Sequence, residues 1–450
     1  MKKFIYTLAL ILMLCSPGYA KNADNYLIGY LNLPFWQNFN DDVLIKNLTT
    51  VYQNNNDLKA SSLKVQEAQR LVKISLANQL PYVGFDGYIG RIFHSSDEVF
   101  GKLTIPDYTE TRFLLPLSYN YEIDIYGKNY LRTKSQKKRF EMTKQEEKSV
   151  YIYLTSAFAT DYYNLIKADK LIALQKDLIS TQKQVVGAVE KKYELGTANI
   201  NDLIQEKKAL TNYKEELDNL LEKQDVLKNQ ISVLLSDRAF AQIDRTSYDN
   251  IKAKIVVPET IQTDVILKRP DCVKSELNLE KIGIDVRVAK RELLPSFNIV
   301  GTLGFNAYNL SSSDKFLANL ALAPTWDLFT GGRKIQMLKL QKDEYEIAIQ
   351  NYDKTILKSI QETNDALYTL KSTAKRHSIV EERLNLSEQD MTLEEQKIQV
   401  GVSDLLDVLY KKEVELIIQK QEVSLKINEI IAMINLYQAL GGVDFFSSSL

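Results

Sequence analysis

The chain has 450 residues, 57 of them basic and 58 acidic, for a formal net charge of −1. That balance excludes a protein that binds nucleic acid through its overall charge. The two histidines, His94 and His377, have no Cys or His at metal-ligand spacing, so no metal cluster is expected. Of the two cysteines only Cys272 lies beyond residues 1–20, so no disulfide framework is expected once that segment is cleaved.

In chain order, residues 1–20 read as a secretory signal. Lys2 and Lys3 precede an apolar run from Phe4 to Leu14, and Gly18-Tyr19-Ala20 supplies a small-x-small cleavage site. The run is too short for an anchor that spans a bilayer. Cys15 offers a second route, lipoprotein processing, although Leu12-Met13-Leu14 puts a bulky Leu where such sites want a small residue. After the signal, no apolar run reaches the length of a transmembrane helix.

Glycine and proline are placed very unevenly. Neither occurs from Asn129 to Val186, from Thr197 to Val257, from Arg333 to Val400, or from Val402 to Leu440. Such breaker-free stretches, rich in Leu, Lys, Glu, Gln and Ile, predict helices of coiled-coil length. About 65 residues at about 1.5 Å each span on the order of 100 Å. By contrast, Pro81–Gly127 holds three Pro and five Gly, and Pro295–Gly332 holds two Pro and four Gly. Both windows alternate like strands. Phe113, Leu115, Leu117, Tyr119, Tyr121 and Ile123 oppose Arg112, Ser118, Asn120, Glu122 and Asp124. Phe297, Ile299, Leu303 and Phe305 oppose Ser296, Asn298, Thr302 and Asn306. Leu320, Leu322 and Trp326 oppose Asn319, Thr325 and Asp327, and Val83, Phe85, Ile89 and Phe93 suggest a fourth strand. At about twelve residues, a tilted strand just crosses a bilayer's hydrocarbon. Pro116 and Pro324 fall inside these strands and mark either bulges or a swing from barrel to tunnel.

The chain also repeats itself. Leu80-Pro81 with Gly87 and Gly90 recurs as Leu294-Pro295 with Gly301 and Gly304. Gly127 and Gly196 are 69 residues apart, as are Gly332 and Gly401. Each half is therefore strand, loop, strand, long helix, glycine turn and returning helix. The expected order is an N-terminal periplasmic segment with a first helix (21–80), a barrel hairpin (81–127) and a long helical hairpin (128–240). An equatorial segment with a lead-in helix (241–294) precedes a second barrel hairpin (295–332), a second long helical hairpin (333–442) and a tail (443–450). Four strands cannot close a barrel, and lipid tolerates no open edge, so the chain must oligomerise if the strands enter a membrane. Twelve strands, from three copies, is the smallest set that leaves a channel.

Phe35-Trp36-x-x-Phe39-x-Asp41, Lys268-Arg269-Pro270-Asp271, the junctions Tyr126-Gly127-Lys128 and Gly331-Gly332-Arg333, and Asn435-Leu436-Tyr437-Gln438-Ala439-Leu440-Gly441-Gly442 occur in order. Together they resemble the TolC-like outer-membrane efflux factors, in their OprM-like, NodT-type lipoprotein branch, over nearly the whole mature chain. The resemblance implies a mixed, mainly α fold: a trimeric outer-membrane β-barrel with four strands per chain, continuing into a long periplasmic α-helical barrel. It implies a passive, gated duct that exports small molecules in a tripartite system, with no catalysis and no cofactor. Its partners would be two further copies, a periplasmic adaptor, an inner-membrane pump of RND type and outer-membrane lipid. The implied adaptor-docking tip is Leu195, Gly196, Thr197, Val400, Gly401, Val402 and Ser403. The implied pore gate is Leu406, Asp407 and Tyr410; related sequences carry an acid at the position of Tyr410. The chain has no ordered Ser/His/Asp set and no G-x-x-x-x-G-K phosphate loop. Two other readings stand beside this one: a type I duct for protein export and a soluble periplasmic coiled-coil scaffold.

Overall fold

Two helices of identical length carry the architecture, each beginning just after a strand. The computed structural model describes residues 32–94, 97–99, 103–105, 108–237, 243–308, 315–399 and 401–446. The expected signal, its cleavage site and Cys15 lie outside these residues. The helices are α1 (Leu33–Gln37), α2 (Asp42–Asn54), α3 (Asn56–Ala77), α4 (Lys128–Glu194), α5 (Ile200–Leu235), α6 (Thr263–Leu267), α7 (Pro270–Arg291), α8 (Arg333–Gln399) and α9 (Leu405–Ala439). The strands are β1 (Tyr82–Phe85), β2 (Tyr88–His94), β3 (Asp97–Val99), β4 (Leu103–Ile105), β5 (Tyr108–Ile123), β6 (Ser296–Tyr308) and β7 (Lys315–Thr325). The repeat is therefore visible in lengths: α4 and α8 are both 67 residues, and α3 and α7 are both 22.

The chain divides into two compact units. One comprises Ser61–Glu147 and Pro270–Leu357 and holds the sheet. Its strands run in the order β1-β5-β6-β7, with β2 also on β5, all antiparallel. β1 and β2 keep one register against β5, because Phe85 faces Leu117 and Tyr88 faces Leu114. They are one lane interrupted at Asp86-Gly87, so the sheet has four lanes. The interruption has a local cause. The Asp86 amide donates to the Pro116 carbonyl at 3.2 Å, but Pro116 has no N–H to return. Pro116 is thus no bulge, since the β5–β6 register passes through it unchanged, opposite Gly304. Pro324, opposite Phe297, is the second-last residue of β7, where the ladder ends. Both prolines therefore sit in an unbroken register, and the bulge alternative falls away.

That register sorts the sheet into two faces. Val83 and Phe85, Leu117, Tyr119 and Tyr121, Ile299 and Leu303, and Leu320 and Leu322 share one face. Ser118, Asn120 and Glu122, Asn298 and Thr302, and Asn319 and Thr325 share the other. Val83, Phe85, Leu320 and Leu322 are all exposed. In the same unit, α3, α4 and α7 are tied by hydrogen bonds from Ser135 to Asp285 (2.6 Å) and between Ser75 and Thr133 (3.0 Å). At the start of α4, the Asp124 carboxylate accepts from the Asn129 and Tyr130 amides at 3.1 and 2.8 Å, as an acid at a helix N-terminus should. Asp327, its counterpart in the second half, instead pairs with Lys334 at 3.0 Å.

The other unit runs up to Ala60 and takes in Lys148–Arg269 and Lys358–Leu450. Its main core joins the beginning and end of the described chain. Phe35 stacks on Tyr437 with ring centroids 3.9 Å apart and meets Phe445 edge-on at 5.6 Å. Asp41 caps α2 through the Leu44 amide (3.0 Å) and also accepts from Tyr162 Oη (2.9 Å) and Thr246 Oγ1 (2.8 Å). Arg269 donates to the Ala439 carbonyl at 2.7 Å and to Glu362 at 2.6 Å, which closes the last turn of α9. The aromatic-Asp opening and Arg269 therefore both secure the last turns of α9.

Candidate functional site

The site lies where α4 turns into α5 and α8 into α9. Gly196 and Gly401 both have φ of +75°, a conformation that costs an L side chain strain and a glycine none. The Thr197 amide reaches back to the Lys192 carbonyl at 2.8 Å, and the Val402 amide to the Lys397 carbonyl at 2.9 Å. Each is the long bond of a Schellman helix end. Leu195 and Val402 are left 79% and 76% exposed. Val400 lies outside the described residues. Lys192 pairs with Asp404, the N-cap of α9, so the two turns are held at the same end of the helix set.

Both returning helices start on a capping box. Asn199 and Asp202 form it for α5, and Asp404 and Asp407 for α9. The exposed Asp407 carboxylate accepts from Ser403 Oγ at 3.3 Å and from the Asp404 amide at 3.4 Å. Ser403 also hydrogen-bonds Glu394, and this bond, with Lys397 next, lowers the Glu394 pKa. Asp404 is likewise held below the usual range, first by Lys192. Leu406 does not project freely. It packs on a small cluster of Val185, Val186, Val189, Leu203 and Leu409.

Tyr410 finds a partner that sequence reasoning missed. Its hydroxyl donates to Glu206 Oε1 on α5 at 2.8 Å, and Glu206 Oε2 accepts from Gln182 Nε2 on α4 at 2.6 Å. One carboxylate therefore clasps α4, α5 and α9. Burial, with the Glu206 hydrogen bond next, raises the Tyr410 pKa, so the phenol stays a donor.

The clasp sits in an unusual stretch of helix packing. Leu409, Glu413, Leu416, Lys420, Val423, Ile427, Ile430 and Ile434 follow one another at alternating steps of four and three residues, which is a coiled-coil seam. From Val423 to Ile434 the seam is apolar and buried. Nearer the glycine turns it carries Glu413 and Lys420, and α4 answers with the fully buried Gln175 and Gln182. Lys420 Nζ donates to Gln175 Oε1 at 2.5 Å, and Gln175 Nε2 to the Tyr213 carbonyl at 2.8 Å. Polar residues at heptad core positions were a signal the sequence offered. Glu206 gives none, since only the fold brings it to Tyr410.

Among the described residues, no group of three or more His, Cys, Asp or Glu side chains could hold a metal ion, and no helix is long and apolar enough to cross a membrane. Comparisons with known proteins fit this geometry. Residues 48–235 and 263–442 match the family described as outer membrane efflux protein. The chain is 22% identical over 432 residues to the cation efflux system protein CusC of Escherichia coli O157:H7, covering 94% of this chain and 90% of that one. It is 23% identical over 416 residues to the toluene efflux pump outer membrane protein TtgI of Pseudomonas putida, covering 90% and 86%. Among solved structures, the Campylobacter jejuni CmeC outer membrane channel matches with a TM-score of 0.81 at 20% identity, over 90% of this chain and 87% of that one.

Proposed function

Because this chain belongs to the outer membrane efflux protein family, and is an outer-membrane channel component of an efflux system, we propose that three copies close one passive duct for small molecules, gated at the glycine-turn end. The observation that carries the assembly is the sheet. Its apolar face is exposed, and its outer lanes, β1 with β2 on one side and β7 on the other, have no further strand among the described residues. In lipid such edges must find partners, and further copies supply them. The apolar face then meets hydrocarbon, and the polar face lines a water path. Along α8, Leu357, Tyr368, Ile379, Leu386 and Leu393 are exposed at steps of 11, 11, 7 and 7 residues, which keeps them on one helix face. That stripe fits a helix from a neighbouring copy.

The gate reading rests on the polar stretch of the seam. A seam held by Glu206, Tyr410, Gln182 and Gln175 opens at less cost than the apolar seam further along α9. The exposed Leu195 and Val402, beside Gly196, Thr197, Gly401 and Ser403, offer a docking surface for a periplasmic adaptor joined to an inner-membrane pump. The duct itself carries out no chemistry and holds no cofactor. The choice of cargo rests with the pump, since the matched relatives are named for cations and for toluene.

Asp407, repeated around a threefold axis, makes a ring of carboxylates that attracts cations. In planar-bilayer recordings of the reconstituted full chain, Asp407→Asn is expected to lower cation selectivity. Unchanged selectivity would take Asp407 out of the gate and leave it a capping residue. Tyr410→Phe, which removes only the hydroxyl that reaches Glu206, is expected to raise the resting conductance, and an unaltered conductance would take the clasp out of the gate.

A further inference from the structure

One group on the polar seam is used by neither the clasp nor the capping boxes. Glu413 follows Tyr410 on α9, is only 9% exposed, and its Oε1 has no hydrogen-bond partner among the described residues. A carboxylate at a core position with an unmade hydrogen bond is costly when ionised and acceptable when protonated. Its surroundings sharpen that difference. From α5, Glu206 and Tyr213 act electrostatically with it; from its own helix, so does Tyr410. From α4, the neutral Gln182 holds the same Glu206, and its Oε1 is also without a partner among the described residues. Among the described residues, the one charge acting on Glu413 is that of Glu206, which has the same sign, and no cation offsets it.

We propose that Glu413 is a proton-operated wedge in the α5–α9 clasp. Protonated, it packs quietly on the seam beside Glu206. Ionised, it sets a buried carboxylate against the half-buried Glu206, competes for the Tyr410 and Gln182 donors, and parts α9 from α5. This rests on reading the glycine-turn end as the gate.

Burial first, and the Glu206 charge second, raise the Glu413 pKa to about 7. In an opened clasp the group faces water and returns to its ordinary value of about 4.3. The packed state therefore binds the extra proton. The clasp is firmest below about pH 4.3, weakens as pH rises towards about 7, and changes no further above that. The duct should open from the acid side toward neutrality.

The test uses the full chain, purified in detergent and reconstituted in planar bilayers, with conductance recorded from about pH 4.5 to about pH 8. In parallel, hydrogen exchange of the amides of residues 405–413 is followed over the same range, corrected for the intrinsic rate. Wild type is expected to gain conductance and amide exchange as pH rises. Glu413→Gln, which cannot ionise, should hold both at their acid-side level. A rise that persists undiminished in Glu413→Gln would overturn the proposal, as would wild-type exchange that ignores pH. Should Glu413→Gln fail to assemble, the wild-type exchange profile decides alone. Exchange that follows pH while conductance does not would keep the wedge and refute the gate reading on which it was built.

Discussion

His377 is the second histidine of a chain with only two, and it sits buried between α8 and α9. Its Nδ1 lies 2.7 Å from Glu429 Oε2, and its Nε2 lies 3.6 Å from Glu422 and 3.7 Å from Glu381. The Glu422 carboxylate and then Glu429, which is hydrogen-bonded to Nδ1, raise its pKa to about 9. The folded value is above the ordinary one, so the stabilisation is complete below about pH 6.5 and is lost as pH rises through about 9. The melting temperature of the detergent-solubilised protein should therefore fall between about pH 7 and about pH 10. His377→Gln leaves the buried Glu429 without its imidazole partner and should cost roughly 3 kcal/mol near neutral pH, with a flatter profile above it. A variant as stable as wild type would show that the acids find another partner. Of its partners only Glu381 stands at a helical spacing from His377; Glu422 and Glu429 come from α9, and Tyr248 in turn donates to Glu422 at 2.8 Å, so most of this role is not marked in the spacing. Asp407 and Tyr410 were expected at the gate from the family resemblance, and Asp407 also from its distance to the second glycine. Their partners Ser403 and Glu206 differ in legibility: Ser403 is four residues from Asp407, whereas Glu206 is 204 residues from Tyr410.

At the scale of elements, the glycine turns and the seam make opposite predictions. No atom stands within 4 Å of where a Cβ would sit on Gly196 or Gly401. Any cost of substitution is therefore conformational. Gly196→Ala and Gly401→Ala should each destabilise by about 1 kcal/mol, with Asn costing less at either position because it tolerates the left-handed region better. Denaturant unfolding monitored by circular dichroism would check this, and an Asn variant weaker than Ala would contradict it. On the seam, Gln175→Leu or Lys420→Leu alone strands a buried partner and should destabilise by about 1–3 kcal/mol. The double variant removes both polar groups and should recover most of that loss. Equal losses in the double and single variants would mean that the two residues do not act as a pair. These elements were the most legible part of the chain. Matching glycine intervals foretold α4 and α8 of equal length, and alternation foretold β6. The break between β1 and β2 was less legible, because it depends on which residue the strand register places opposite Pro116.

For the whole molecule, equal helices, matched glycine turns and a four-lane sheet follow from one duplication, and each half supplies the same parts. Two consequences belong to the assembly and not to the chain. The exposed apolar sheet face needs lipid, and the outer lanes need another copy's strands. The strand count and the alternation made this legible in advance, since both follow from backbone hydrogen bonding in a medium without water. Which helix faces another copy was not legible, because an exposed stripe such as that of α8 can be recognised only once the chain's own packing is known. The most direct measurement is the native mass of the full chain extracted in detergent from the outer membrane. Three copies of the 51.6 kDa chain, less any processed segment, are expected in one particle. A monomer or a dimer that still conducts across a bilayer would contradict the trimeric duct.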